Sequence, residues 1–202
     1  TRDILEAVSV GRFYVGQQLH GLNHQINCHA LSSMNNEAQV ALDAKMRIEF
    51  VPVPERVRDG DNNQSCVVRL HWSGYRILIP GDADSKVERA LIADDAERLK
   101  SDILIAGHHG SNSSTSSMWL KAVDPQVVVF SAGYRNRFNH PHPDVTGRID
   151  SEGLPYVNTA TSGLIEITPE GQIKLMRAQW MPRWHVSPDA ERDFSLHGHV
   201  LE

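Results

Sequence analysis

The sequence predicts an α/β fold, in which helices cover the faces of a β-sheet. Short apolar runs of strand length alternate with segments whose apolar residues recur at helical spacing. Three of the apolar runs end in polar clusters, and the carboxyl ends of strands are where such folds bind ligands. A chain of 202 residues without an internal repeat or a long linker is long enough for one domain with a sizeable core.

The first 65 residues contain the weakest signals. A short helix marked by Ile4, Leu5 and Val8 precedes a predicted strand over residues 12–15. Residues 20–45 are polar and moderately helical in pattern. Residues 46–53 alternate as a strand does and end at two prolines, and the Asp- and Asn-rich run after residue 58 is a loop.

The remaining elements are clearer. A hairpin is predicted from strands 66–72 and 75–80 joined by Ser73-Gly74, followed by a helix that starts with a capping box from Ser85 to Glu88. Further predicted elements are strand 102–106, helix 118–123, strand 126–130, helix 144–152, and strands 156–158, 164–168 and 173–177. We expect one domain over residues 1–178 and an aperiodic, partly mobile tail over 179–202, ending in a cloning scar, Leu201-Glu202.

Composition excludes some classes of function. With 20 Lys and Arg against 25 Asp and Glu, the net charge of −5 rules out nucleic-acid binding through bulk positive charge, although not through a local basic patch. We find no apolar run long enough to span a bilayer and no signal-peptide pattern. Cys28 and Cys66 are interpreted as two small apolar residues, with a single bridge as the alternative, so they do not reveal the redox compartment.

Side chains that could bind a metal ion are predicted to follow three of the strands. Asp82 follows the hairpin, the pair His108-His109 follows strand 102–106, and His140 follows strand 126–130. One carboxylate and several imidazoles at one sheet edge indicate a divalent-metal site, with Asp82, His108 and His140 as ligands. Asp82 could equally be a turn residue.

Residues near these clusters have simpler interpretations. Asp84 is expected to cap a helix rather than bind metal. The run 111–117 is expected to be a flexible loop, with a phosphate cradle at Ser111 as the alternative. His142 should point away from His140. The remaining histidines have no such context, and Walker, Rossmann and Gly-x-Ser-x-Gly patterns are absent.

The order of these motifs is specific. Asn62-Asn63-Gln64-Ser65, the hairpin, Gly81-Asp82, His108-His109-Gly110-Ser111 and His140-Pro141-His142-Pro143 together resemble the metallo-β-lactamase-like domain of ComEC-type DNA-internalisation (competence) proteins, over roughly residues 46 to 168. The resemblance implies an αββα sandwich with a two-metal hydrolase centre. It also implies that the domain is a soluble part of an inner-membrane DNA channel, on the periplasmic side, that degrades incoming single-stranded DNA.

The resemblance also assigns roles. It makes Asp82 the metal-bridging aspartate and His140 a ligand of the second metal, and it places His108 and His109 as catalytic histidines near the centre. The ions implied are manganese or zinc. Amide and hydroxyl groups at Asn63 and Ser65, where many relatives have histidine, would favour manganese or magnesium over zinc.

The family's His/Asp signature is absent from this sequence and should lie before residue 1. We therefore expect an N-terminally truncated fragment with little or no hydrolase activity, weak metal binding and an apolar sheet face that drives self-association.

Arg135 and Arg137 are either DNA-phosphate ligands or solvated loop residues. Ser111, His142, Asn63 and Ser65 are further candidates for substrate binding. Two alternative functions stay open: a DNA-guiding or structural domain that has kept the fold without the chemistry, and a metallo-hydrolase of a small-molecule substrate.

Overall fold

A computed structural model describes residues 13–15, 25–31, 39–43, 46–177 and 194–196. In chain order the strands are β1 (Phe13–Val15), β2 (Gln25–Asn27), β3 (Gln39–Asp43), β4 (Met46–Val51), β5 (Val67–Trp72), β6 (Tyr75–Ile79), β7 (Ile103–Ile105), β8 (Val127–Phe130), β9 (Tyr156–Asn158), β10 (Ile165–Ile167), β11 (Gln172–Leu175) and β12 (Phe194–Ser195). The α-helices are α1 (Cys28–Leu31), α2 (Ser85–Asp95), α3 (Ser117–Val123), α4 (Pro143–Ser151) and α5 (Thr159–Ser162).

Seven strands form one mixed sheet in the order β3-β4-β5-β6-β7-β8-β9. Strands β3 to β6 are antiparallel, and the predicted hairpin pairs Trp72 with Tyr75 at its turn. Strands β6 to β9 are all parallel to one another. Their carboxyl ends therefore meet at one edge of the sheet, which is where the polar clusters of the sequence begin.

The parallel strands are buried on both faces, which is why they appear in the sequence as continuous apolar runs. Leu104 and Val128 face the helices and pack with Leu91 of α2 and Trp119 of α3. Their neighbours in sequence point to the opposite face, where Ile103 is fully buried in a second apolar cluster. The α/β class predicted from the sequence is confirmed.

A second, three-stranded sheet in the order β10-β11-β12 covers the other face of the large sheet. The small sheet contributes three buried side chains to the second apolar cluster: Ile173, Leu175 and Leu196. The two sheets therefore pack face to face, and the helices cover the outer face of the larger sheet. We expected an aperiodic tail after residue 178. Instead β12 pairs with β11 in register Ile173 to Phe194, so this part of the tail belongs to the fold.

The N-terminal third differs most from the sequence prediction. Residues 20–45 were predicted to be moderately helical, but the described part contains β2, the single turn of α1 and β3. The predicted helix near Ile4 and the terminal Leu201-Glu202 lie outside the described residues. The interpretation of the cysteines as unpaired residues is wrong, because a disulfide bond joins Cys28 of α1 to Cys66 with a Cα–Cα distance of 5.9 Å.

A charged cluster crosses strands β4 and β5. Glu49 is 4% exposed and accepts hydrogen bonds from Arg69 Nη2 at 2.7 Å and Arg98 Nε at 3.0 Å, with His71 Nε2 at 3.1 Å. Burial alone would raise the pKa of Glu49, but the hydrogen bonds from Arg69, His71 and Arg98 lower it to about 2.

In the part of the chain that the structure describes, no helix combines the length and the apolar character that crossing a membrane requires.

Candidate functional site

The candidate site lies at the carboxyl ends of β6, β7 and β8. Asp82 comes three residues after β6, His108 and His109 come shortly after β7, and His140 is in the loop that follows β8. Because these strands are adjacent and parallel, their loops converge, as the sequence predicted.

Backbone hydrogen bonds tie the three loops together. The amide of His108 donates to the carbonyl oxygen of Gly81 at 2.9 Å, and the amide of His142 donates to that of Gly110 at 2.8 Å. Gly110 cannot be replaced without movement, because a Cβ there would lie 2.7 Å from Cβ of Pro141, and its φ is +87°. This glycine therefore allows the His108-His109 turn and the His140 loop to touch.

The His108-His109 turn has an unfavourable backbone. Both histidines are in the left-handed region, with φ of 48° and 58°, which β-carbon sterics disfavour outside glycine. The turn is held by the preceding Gly107, whose carbonyl oxygen accepts from Ser114 Oγ at 2.6 Å and whose amide donates to Thr115 Oγ1 at 3.1 Å. Ser114 and Thr115 are fully buried. The prediction of a flexible loop over 111–117 is wrong at its centre, which anchors the turn.

A buried carboxylate supports this anchor from α2. Glu88 is 1% exposed and accepts hydrogen bonds from the amides of Thr115 and Ser116. Burial raises the pKa of Glu88 above its ordinary value. The predicted capping box from Ser85 to Glu88 is therefore wrong. The residue that caps α2 is Asp84, whose side chain accepts from the amide of Lys86 at 2.7 Å, as its interpretation as a cap required.

Asp82 lies opposite His109. The distance from Asp82 Oδ1 to His109 Nε2 is 3.8 Å, while His109 Nδ1 is 2.7 Å from the carbonyl oxygen of Ser131. That carbonyl can only accept, so it places a proton on Nδ1, and the lone pair of the neutral imidazole is then on Nε2. Two ligands about 2.1 Å from a tetrahedral ion lie about 3.4 Å apart, so this carboxylate and this imidazole fit a shared divalent ion.

His108 and His140 form a second pair. Their ring centroids are 6.0 Å apart in an edge-to-face arrangement, and Nδ1 of His108 is buried without a hydrogen-bond partner in the described part of the chain. Burial, followed by the charges of His108, His109 and His142, lowers the pKa of His140. A neutral imidazole is the form that binds metal or accepts a proton.

Asp82 lies close to His109 rather than to His108, the histidine that the sequence predicts to bind metal together with Asp82 and His140. Among the described residues no three or more His, Cys, Asp or Glu side chains are grouped closely enough to hold a metal ion. The site therefore consists of two pairs, Asp82 with His109 and His108 with His140.

The residues predicted to replace a histidine ligand position other groups. Ser65 Oγ accepts from the amide of Asp82 at 3.0 Å, and a Cβ on Gly81 would lie 2.8 Å from that of Ser65. Asn63 is buried, and its side chain bonds both the amide and the carboxylate of Asp84 at 3.0 and 3.1 Å. Ser65 thus fixes the backbone of Asp82, and Asn63 fixes the start of α2.

Two further predicted residues, His142 and Ser111, make local contacts within their own loops. His142 caps α4 by accepting from the amide of Asp144 at 3.1 Å, while Ser111 Oγ lies 3.1 Å from Ser113 Oγ. Sequence reasoning missed Phe138, whose ring stacks on His140 at 5.6 Å between centroids. The sequence did contain a sign of this role, because Phe138 directly follows Arg137 and lies two residues before His140.

The chain is similar to several curated bacterial proteins. Three of them are the competence protein ComA of Neisseria gonorrhoeae (38% identical over 130 residues, 64% of this chain), recombination protein 2 of Haemophilus influenzae (37% over 112 residues, 55% of this chain) and the ComE operon protein 3 of Bacillus subtilis (30% over 105 residues, 52% of this chain). The chain spans 19%, 14% and 13% of the lengths of these relatives. The similarity to competence proteins indicated by the motifs is confirmed.

No known family profile matches the chain. A crystal structure from Parabacteroides distasonis, of a protein provisionally named a metal-dependent hydrolase, aligns with a TM-score of 0.40 at 15% identity and covers 60% of this chain and 54% of its own. That likeness is too low to support an argument about fold or function.

Proposed function

We propose that this chain, which is similar to a competence protein over about two thirds of its length, is part of a metal-dependent phosphodiesterase domain that acts on incoming single-stranded DNA during DNA uptake. The observation that carries the proposal is the arrangement of Asp82 and His109. Their facing oxygen and nitrogen atoms are 3.8 Å apart, and Ser131 fixes the imidazole tautomer that leaves a lone pair toward the carboxylate.

Asp82 and His109 are the residues that would hold a divalent ion, such as manganese or zinc, with His108 and His140 beside them. When bound, such an ion polarises a phosphoryl oxygen and lowers the pKa of water. Burial lowers the pKa of His140 and so favours the neutral imidazole, the form that can accept a proton or bind a second ion. His108 can stabilise charge that develops on the leaving oxygen, and Arg135 and Arg137 can pair with phosphates.

The disulfide bond supports a location of this domain on the periplasmic side of the inner membrane. Disulfides persist in oxidising compartments such as the periplasm and are rare in the cytosol. The Cys28–Cys66 bond therefore favours the side of the inner membrane at which external DNA arrives. In this proposal the membrane-embedded channel of the same polypeptide is the partner of the domain.

A second candidate is a DNA-guiding domain without hydrolase chemistry. The observation that favours it is the absence, among the described residues, of any group of three potential metal ligands. Both candidates predict DNA binding, so only a test of hydrolysis separates them.

The test measures manganese-dependent degradation of single-stranded DNA. We would compare the 202-residue chain with an extended protein, defined as this chain plus any natural sequence that adjoins it, because the family's His/Asp signature is absent from residues 1–202. Each would be made as the wild type, as Asp82→Asn, as His109→Ala and as Asp150→Asn. The last is a matched control, because Asp150 is an exposed carboxylate on α4.

We expect the extended protein to cleave DNA with manganese, and Asp82→Asn and His109→Ala to lower the rate by about a hundredfold or more, as the loss of a metal ligand or its support does. Asp150→Asn should cleave like the wild type. A folded extended protein that cleaves nothing with any divalent metal would support the DNA-guiding candidate instead.

A further inference from the structure

Two aromatic side chains are exposed in the loop between β8 and His140. Tyr134 is 64% and Phe138 is 61% exposed, and the other large apolar side chains exposed in the described residues, Met118 and Leu164, are not aromatic. Single exposed apolar residues need no explanation. Two aromatic rings in one short loop beside a candidate active site call for a ligand that covers them.

Arginine side chains accompany both rings. The guanidinium of Arg137 lies 4.6 Å from the Phe138 centroid, and those of Arg135 and Arg177 lie 5.2 and 5.5 Å from the Tyr134 centroid. Residues 131–143 contain no Asp or Glu, and no described carboxylate forms an ion pair with these three arginines. The chain is acidic overall, but this surface is basic and aromatic.

The loop that carries the rings is organised by Asn136. Its amide nitrogen donates to the carbonyl oxygens of Gly133 at 3.1 Å and His140 at 2.6 Å, and its oxygen accepts from the amides of Phe138 at 3.2 Å and His140 at 2.9 Å. Four hydrogen bonds from one side chain fix the loop before a ligand arrives. Little conformational entropy remains to be lost on binding.

The same loop joins this surface to the histidines. Phe138 stacks on His140 with an angle of 23° between the rings, and His140 packs against His108. A planar group that stacks on Phe138 would therefore lie close to His140.

We propose that Tyr134 and Phe138, with Arg135, Arg137 and Arg177, form a stacking platform for the unpaired bases of single-stranded nucleic acid. Aromatic rings and guanidinium planes both stack on nucleobases, and arginine also pairs with phosphate. Bases in a duplex are already stacked, so the platform selects single strands. The inference deepens the proposed function, on which it rests for the delivery of a phosphate to the site.

The test measures binding to the purified chain in EDTA, where metal-dependent hydrolysis cannot contribute. The probe is a fluorescein-labelled oligothymidylate of about 20 nucleotides, a length that exceeds common single-strand site sizes. It is compared with an abasic deoxyribose-phosphate oligomer and with a duplex of equal length. The variants are Tyr134→Ala/Phe138→Ala, Tyr134→Trp/Phe138→Trp, Arg135→Gln/Arg137→Gln and the control Met118→Ala, which truncates an exposed apolar side chain on α3.

We expect the wild type to bind oligothymidylate about tenfold or more tightly than either comparison probe, and the alanine variant to lose this preference, since stacking contributes at this level per base. The tryptophan variant should keep it. The arginine variant should weaken binding to every probe and, for oligothymidylate, reduce the magnitude of the slope of log K against log salt by about 1.4, or about 0.7 for each of two phosphate contacts. Met118→Ala should bind like the wild type.

The platform is refuted if the alanine variant binds oligothymidylate as tightly as the wild type does. Equal wild-type affinity for the abasic oligomer also refutes it and points to a general polyanion surface, such as one for an acidic protein. Base-dependent binding without cleavage in the manganese assay supports the platform and contradicts the hydrolase proposal. Cleavage without base-dependent binding does the opposite.

Discussion

Removing the Cys28–Cys66 disulfide should lower stability by about 4 kcal/mol. The bond closes a loop with a sequence separation of 38 residues, and the loop-closure entropy for that length gives this value at 25 °C. The bond also joins α1 to Cys66, which lies just before β5 and directly after Ser65, whose hydroxyl accepts from the amide of Asp82. We therefore expect Cys28→Ala/Cys66→Ala to loosen the candidate site as well as the fold.

The measurement is urea unfolding of the oxidised wild type, the dithiothreitol-treated wild type and the double variant. For a slope of about 2 kcal/mol per M, the midpoint should fall by about 2 M on reduction or on double substitution. Dithiothreitol should leave the double variant unchanged, which controls for other effects of the reagent. If the oxidised and reduced proteins unfold at the same midpoint, or if the denatured protein shows two free thiols without reductant, the reasoning is wrong.

Three further predictions concern single residues. Gly110→Ala should lower the free energy of unfolding, measured by thermal denaturation, by about 2–4 kcal/mol, because the new Cβ would lie 2.7 Å from Pro141 and φ is +87°. Gly147→Ala is the control: its new Cβ would lie in open space on α4, so stability should stay the same or rise. Glu88→Gln should cost about 1–3 kcal/mol at pH 7, measured by urea unfolding, since an amide cannot accept from both backbone N–H groups. Glu49 has a depressed pKa of about 2, so its contribution of about 2–3 kcal/mol should be complete above about pH 4.5 and be lost as the pH falls toward 2. Stability measured across that range should fall less steeply in Glu49→Gln, and an unchanged slope would contradict the assignment.

The part of the fold that positions the site could be predicted from the sequence. Strands β6 to β8 are buried on both faces, so they appear as continuous apolar runs with sharp polar ends. The hairpin and the cap at Asp84 were found because their signals are local, within a few residues of the element they define.

Contacts between distant parts of the chain could not be predicted in this way. Thr115 meets Glu88 across 27 residues, and Cys28 meets Cys66 across 38. A serine- and threonine-rich run has the same composition whether it is solvated or buried against a carboxylate. Only the tertiary fold decides between the two, and here it buries the centre of the run, Ser114 and Thr115. Likewise, the pairing of Asp82 with His109 rather than His108 depends on the turn's backbone, which the sequence does not specify.

The strained backbone of the His108-His109 turn favours a functional role for the two histidine side chains. Two successive non-glycine residues in the left-handed region, His108 and His109, cost on the order of 1–2 kcal/mol each. The cost is offset by fully buried Ser114 and Thr115 and by the carboxylate of Glu88, a group that is itself expensive to bury. If the turn served the fold alone, glycine at either histidine position would remove the strain. The protein instead keeps two imidazoles there, one facing Asp82 and one packed against His140. A strained turn with this much buried support is better explained by what the two side chains do than by what the backbone needs.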